Sequence, residues 1–196
     1  MLVKGNLILQ MIKKIAIYED LYSIPENMIG QIINGELIAM PRPSPKHCNV
    51  VSGIGFEIGP PYRFGRGGPG GWVILDEPEI KLGQDIFVSD LAGWKKGRLP
   101  KFPKTNYISV PPDWVCEVLS PSTEKTDRAK KMPIYALFGV PYLWLINPVE
   151  EIFEVYKLDS GRWILFSVYA ENDKVRAEPF QEIEIDLQNL WFEAEE

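Results

Sequence analysis

A glutamate stands inside an otherwise apolar run, Trp114-Val115-Cys116-Glu117-Val118-Leu119. Aromatic and β-branched residues without polar alternation predict a strand buried on both faces, the inner strand of a layered sheet. A carboxylate in such a place costs several kcal/mol unless a cation, a lysine or a set of hydrogen-bond donors meets it. The run therefore calls for a layered fold and for a charged partner brought in from elsewhere in the chain. Carboxylates perturbed in this way concentrate at functional sites. The residues alone leave two partners open: Lys131, in a structural ion pair, and a metal ion shared with a second carboxylate.

Strand and helix signals alternate around this run. Asn34-Gly35 between apolar flanks predicts a hairpin within residues 31–40. Residues 18–30 read as a short helix and a loop, and 41–45 as a stiff proline-rich connection. Val50, Val51, Ile54 and Ile58 share one face of a helix expected from His47 to about Tyr62, although Gly53 and Gly55 weaken it. Strands are expected at 72–75, 79–82 and 86–90, with Asp90 at the end of the last. Residues 93–106 form a long basic loop, and loops of that length are often functional. Ser120 to Thr123 mark a helix start and Gly139 its stop, with Pro133 predicting a kink or a late start. Strands at 142–146, 152–158 and 163–169, separated by turns, make an antiparallel meander.

The glycine-rich stretch 65–71 lacks the spacing of a phosphate-binding loop and reads as a turn. Residues 171–196 carry nine acidic and two basic residues and are expected to be solvated. The fold class expected is α/β (α+β), a mixed β-sheet flanked by helices with an antiparallel strand meander. It occupies a single domain over 18–196, after an amino-terminal extension, 1–17, in which Met11 is a candidate start.

Composition narrows the function classes. The two cysteines, Cys48 and Cys116, and the one histidine exclude a disulfide framework and make a structural zinc site improbable. Both cysteines read as small core residues. No apolar run is long enough to span a bilayer, and the first ten residues do not resemble a signal peptide, so a cytoplasmic protein is expected. The net charge is −6, yet residues 91–131 hold nine basic and four acidic residues, a local +5. Such a face is compatible with phosphates and equally with an ordinary solvated surface. The six tryptophans read as core, except that Trp94, in the basic loop, could stack on a base.

Asp90 and Glu117 fall on neighbouring strands, where two carboxylates can hold a hard divalent cation such as magnesium. Such a cation acidifies a bound water and neutralises a phosphate, and a nearby lysine can hold the attacking water. Taken singly, Asp90 also fits a turn, His47 a helix start, Glu36 a hairpin surface and Lys131 a solvated helix face.

Ser89-Asp90-Leu91, the run Asp113 to Thr123, and then Asp127, Lys131, Tyr135, Gly139-Val140 and Trp144 resemble the Uma2 family. That family is a group of uncharacterised bacterial proteins related to restriction endonucleases of the PD-(D/E)xK fold. Gly35-Glu36-Leu37-Ile38, the proline-rich loop and His47 fit its amino-terminal pattern, so the likeness covers roughly residues 18–158. The resemblance implies a magnesium- or manganese-dependent nuclease acting on nucleic acid, with DNA the expected substrate and a homodimer a further expectation. It matches Asp90 and Glu117 to the two metal-holding carboxylates, Lys131 to the catalytic lysine, and Glu36 and His47 to auxiliary groups. The alternative is a catalytically inactive module of the same fold that binds nucleic acid or a protein partner. Leu119 stands where many such nucleases carry their lysine and Tyr142 replaces a glutamate, and both, with the acidic surface, favour the module; Ser89, in place of the expected proline, mainly changes local backbone stiffness.

Overall fold

The structure is a computed structural model and describes residues 15–191. The expectations placed on residues 1–14 and 192–196 lie outside the described residues. A 3-10 turn (Tyr18–Ser23) leads to the hairpin β1 (Met28–Ile33) and β2 (Glu36–Pro41). Asn34 and Gly35 close it at φ of 53° and 74°, the left-handed backbone that makes Asn-Gly a hairpin signal. Helix α1 (Pro45–Ile58) follows and ends in a π-helical turn (Gly59–Arg63). Next come β3 (Trp72–Asp76), β4 (Glu79–Leu82), β5 (Asp85–Val88), β6 (Leu91–Lys95), the two-residue β7 (Tyr107–Ile108) and β8 (Trp114–Val118).

A helical crossover connects β8 to β9 (Tyr142–Asn147). It consists of α2 (Glu124–Thr126), a π-helical turn (Asp127–Lys131) and α3 (Met132–Leu137). Strands β10 (Ile152–Asp159) and β11 (Arg162–Ala170) complete the meander. The chain returns through β12 (Lys174–Val175), β13 (Ile185–Asp186) and a 3-10 turn (Leu187–Leu190).

One sheet has the order β2-β1-β5-β4-β7, a larger one β11-β10-β9-β8-β6-β3, and β12 pairs with β13. The larger sheet is mixed. β8 runs parallel to β9, as a helical crossover requires, and antiparallel to β6. Fold class and meander agree with expectation. Alternation along β8 sends Trp114, Cys116 and Val118 to one core and Val115 and Leu119 to the other. Glu117 points the same way as Val115 and Leu119, toward the layer formed by the crossover helix.

Several local expectations are corrected. α1 starts at Pro45, because the Ser44 hydroxyl caps the backbone N–H of His47, and the span beyond Ile58 is a π turn. β5 stops at Val88, so Asp90 lies in the bend before β6 rather than ending a strand. The supposed loop 93–106 begins as β6, which buries Trp94 completely; its indole N–H donates to the Val110 carbonyl at 2.8 Å, so the ring is not free to stack on a base. Cys48 is exposed, because it lies off the apolar stripe of α1, whereas Cys116 is buried.

The acidic carboxy-terminal segment is not a solvated tail. Val175, Ala177, Phe180, Ile185, Leu187 and Leu190 are all buried. The Phe180 ring centroid lies 4.6 Å from that of Tyr62, 4.9 Å from those of Trp72 and Trp114, and 5.5 Å from that of Trp144. Gly53 has a reason to interrupt α1, since a β-carbon there would come within 2.7 Å of Leu190. Among the described residues no helix is long and apolar enough to cross a membrane.

Candidate active site

The β6–β8 ladder pairs Leu91 with Cys116, Ala92 with Val115 and Gly93 with Trp114. One step beyond the Leu91–Cys116 pair, continuing the same register sets Asp90 opposite Glu117. Side chains directly opposite on antiparallel strands have β-carbons roughly 5 Å apart. The Val118 N–H donates to Asp90 Oδ2 at 2.6 Å and holds the bend against β8.

The crossover helix delivers the remaining groups. Asp127, Lys131 and Tyr135 recur every four residues and so share one helical face, here turned toward β8. Lys131 Nζ lies 3.1 Å from Glu117 Oε2, 3.0 Å from Asp127 Oδ1 and 2.9 Å from the Val88 carbonyl. The Tyr135 hydroxyl donates to Glu117 Oε1 at 2.5 Å. Glu117, Asp127 and Lys131 are nearly inaccessible, at 2%, 3% and 3% exposure. α1 contributes His47, whose Nε2 lies 3.2 Å from Asp90 Oδ2.

Asp90, Glu117, Asp127, Lys131 and His47 line one cavity of about 310 Å³ together with Gln31, Arg42 and Glu77. Three carboxyl groups (Asp90, Glu117 and Asp127) crowd one lysine, so ionising all three leaves the cluster with excess negative charge. Burial pushes the Glu117 carboxyl up to about 8, the Lys131 charge opposes this, and the charges of Asp127 and Asp90 reinforce it. The Lys131 ammonium is raised. Burial alone would lower it, but Glu117, Asp127 and Asp90 together outweigh burial. The same balance raises His47: desolvation pulls down, and the hydrogen bond and charge of Asp90 push up further.

Four of the five sequence candidates are treated alike by the fold, and one is set apart. Asp90, Glu117, Lys131 and His47 line the cavity; Glu36 does not, and lies at the mouth of the β1–β2 hairpin with its carboxylate 3.3 Å from Lys130 Nζ. Leu119 does not leave the site without a lysine, because Lys131 reaches Glu117 from the helix while Leu119 fills the core behind it. Tyr142 packs against the core from β9 and is not among the cavity residues.

Asp127 and Gln31 were not assigned roles from the sequence. The four-residue spacing to Lys131 was the available signal for Asp127. For Gln31 it was a polar residue in the run Gly30-Gln31-Ile32-Ile33, the same kind of signal that marked Glu117. Gln31 is buried in the cavity wall, and its Oε1 has no hydrogen-bond partner among the described residues.

The donor set suits one kind of cation. Asp90 Oδ1 has no partner among the described residues, and Asp90 retains 21% side-chain exposure, enough to face the cavity. Among the described residues no group of three or more His, Cys, Asp or Glu side chains is arranged to hold a metal by itself. Two opposed carboxylates with room for water and phosphate fit magnesium or manganese, which keep waters and share ligands with substrate; they do not fit an all-protein cage.

The model of the Uma2 family, described as "Putative restriction endonuclease", matches residues 16–188. A crystal structure from Anabaena variabilis, of a "putative nuclease belonging to DUF820", superposes with a TM-score of 0.67. It is 23% identical, and the match covers 88% of this chain and 96% of that one, which establishes the likeness of fold. No curated protein matches the chain.

Proposed function

The chain belongs to the Uma2 family, and on that footing we propose that it is a magnesium- or manganese-dependent endonuclease that hydrolyses DNA phosphodiester bonds. One observation carries the reading: Asp90, in the bend that leads into β6, and Glu117 of the adjoining β8 line one cavity, and Lys131 lies against Glu117 there. Asp90, through Oδ1, and Glu117 would hold the cation. When bound, the ion supplies positive charge at a phosphoryl oxygen and an acidified water.

The protein's own groups position the rest. His47 and the Val118 N–H fix Asp90 Oδ2, which leaves Oδ1 turned to the cavity. Tyr135 fixes the orientation of Glu117 from the protein side. The Lys131 ammonium is held by Glu117, Asp127 and the Val88 carbonyl, and stays charged at neutral pH. It can hold the attacking water and offset the charge that develops on the phosphorus oxygens. Glu36, paired with Lys130 outside the cavity lining, has no part in this scheme.

Calorimetric titration of magnesium and manganese tests the reading, in parallel with cleavage of supercoiled and linear DNA. Wild type should bind one of these ions and cut DNA. Asp90→Ala and Glu117→Ala should lose ion binding and at least a hundredfold in cleavage rate, the scale of one lost electrostatic group at a reaction centre. A wild type that binds nucleic acid but neither binds these ions nor cuts would make the protein the non-catalytic module instead.

A further inference from the structure

The nine basic residues of 91–131 separate into two sets once folded. Four lie on the crossover: Arg128 bridges Glu124 and Glu154, Lys130 meets Glu36, Lys131 is buried in the cavity, and Lys125 is exposed. The other five occupy residues 95–104. Of these only Arg98 has an acidic partner, Asp113 at 2.8 Å. Lys95, Lys96, Lys101 and Lys104 are exposed, with no acidic partner among the described residues.

The fold then adds two cations from a distant part of the sequence. Trp72 pairs with Lys95 in the β3–β6 ladder, and the Lys96 N–H donates to the Gly71 carbonyl at 2.9 Å. These contacts join the start of the basic loop to the end of residues 63–71, a stretch that carries Arg63 and Arg66. Neither 59–75 nor 93–106 contains an acidic residue, in a chain whose net charge is −6. Phe64, between Arg63 and Arg66 in the sequence, and Phe102, next to Lys101, are 60% and 61% exposed. The guanidinium groups of Arg63 and Arg66 lie 5.5 and 5.3 Å from the centre of the Phe64 ring.

This face is connected to the cavity by β3, an edge strand of the larger sheet. Arg63 donates to the Ile74 carbonyl midway along it. At the far end, Glu77 lines the cavity and its N–H donates to the Asp90 carbonyl at 3.0 Å. Five strand residues span roughly 17 Å, which is about five base pairs of a duplex.

We propose that this face, from Lys101 and Lys96 through Arg66 to Arg63 on the outer edge of β3, binds nucleic-acid backbone and guides it to the cavity. The proposal rests on the nuclease reading for its partner, and on charge and geometry for its place. Lysine and arginine without acidic partners release counterions when phosphates replace them, which gives binding that is steeply salt-dependent and blind to base sequence. Exposed phenylalanines add apolar surface for sugars or unpaired bases.

The test is fluorescence anisotropy with a labelled duplex of about 20 base pairs in EDTA, titrated across roughly 50 to 200 mM salt, the range in which phosphate contacts change affinity most visibly. The triple variant R66A/K96A/K101A removes three charges from the face; K125A/R162A/K174A removes three from elsewhere. Unchanged melting temperatures establish that both fold. The first variant should bind at least about tenfold more weakly and show a salt slope smaller by about three, whereas the second should stay within about twofold of wild type.

Equal binding by the first variant and wild type, with magnesium-dependent cutting intact, would overturn the face and leave the nuclease reading standing. Binding through the face without any cutting would do the reverse. A wild type that neither binds nor cuts overturns both.

Discussion

Glu117 holds the sharpest electrostatic conflict in the molecule, and its consequences can be measured without any substrate. Burial raises its carboxyl from an ordinary 4.5 to about 8, against the opposing charge of Lys131. The folded state therefore binds this proton more tightly than the unfolded chain does. Its contribution to stability is complete below about 4.5 and is lost as pH rises through about 8. Glu117→Gln resembles the protonated acid at every pH and keeps Lys131 paired with Asp127. In EDTA, the variant and wild type should melt together below pH 5. At pH 9 the variant should be more stable by several kcal/mol, on the order of 10 °C for a chain of this size. Thermal unfolding followed by circular dichroism across that range checks it. Identical melting temperatures at pH 9 would mean that Lys131 fully compensates the buried charge.

At the level of elements, the least legible part of the chain is a segment that closes one of the two cores. The hairpin, α1, the crossover and the meander follow from turn residues, proline and glycine punctuation and apolar spacing, and all are found close to their expected places. The returning carboxy-terminal segment was masked by its charge. Glu182-Ile183-Glu184-Ile185-Asp186-Leu187 alternates strictly, a strand signal with acids outward and apolar side chains inward, but a count of acids alone reads as solvent. Ile185 and Leu187 are fully buried in the same core as Trp114 and Trp144. The candidate site was half visible for a similar reason. A carboxylate in an apolar run is conspicuous in one dimension, whereas the opposition of Asp90 to Glu117 and the turning of Lys131 inward exist only once β6, β8 and the helix are assembled. Phe180 is where the returning segment is anchored, wedged among four aromatic rings. Phe180→Ala should cost about 3–5 kcal/mol, read as a fall in the urea midpoint. A cost below about 1 kcal/mol would mean that the segment does not belong to the cooperative core.

Over the whole molecule, two opposed electrostatic regions lie at the two ends of β3. The basic face attracts phosphate, whereas the cavity sets three carboxyl groups against one lysine, so with Glu117 ionised a phosphate meets excess negative charge there until a cation enters. Metal-free protein should therefore hold DNA by the face alone, with the cavity as a penalty. Calcium takes the same oxygen ligands as magnesium and can report on this without requiring turnover. Adding it should tighten duplex binding by wild type about tenfold, or about 1.4 kcal/mol. Asp90→Ala should respond by less than about twofold, having lost the ligand that faces the cavity. The same variant should bind DNA more tightly than wild type in EDTA, because one of the repelling charges is gone. If calcium tightened both proteins equally, the ion would be bridging phosphates to the surface at large. An excess confined to wild type would tie the cation, Asp90 and the nucleic acid to the same cavity, a coupling that neither metal titration nor DNA binding measured alone can reveal.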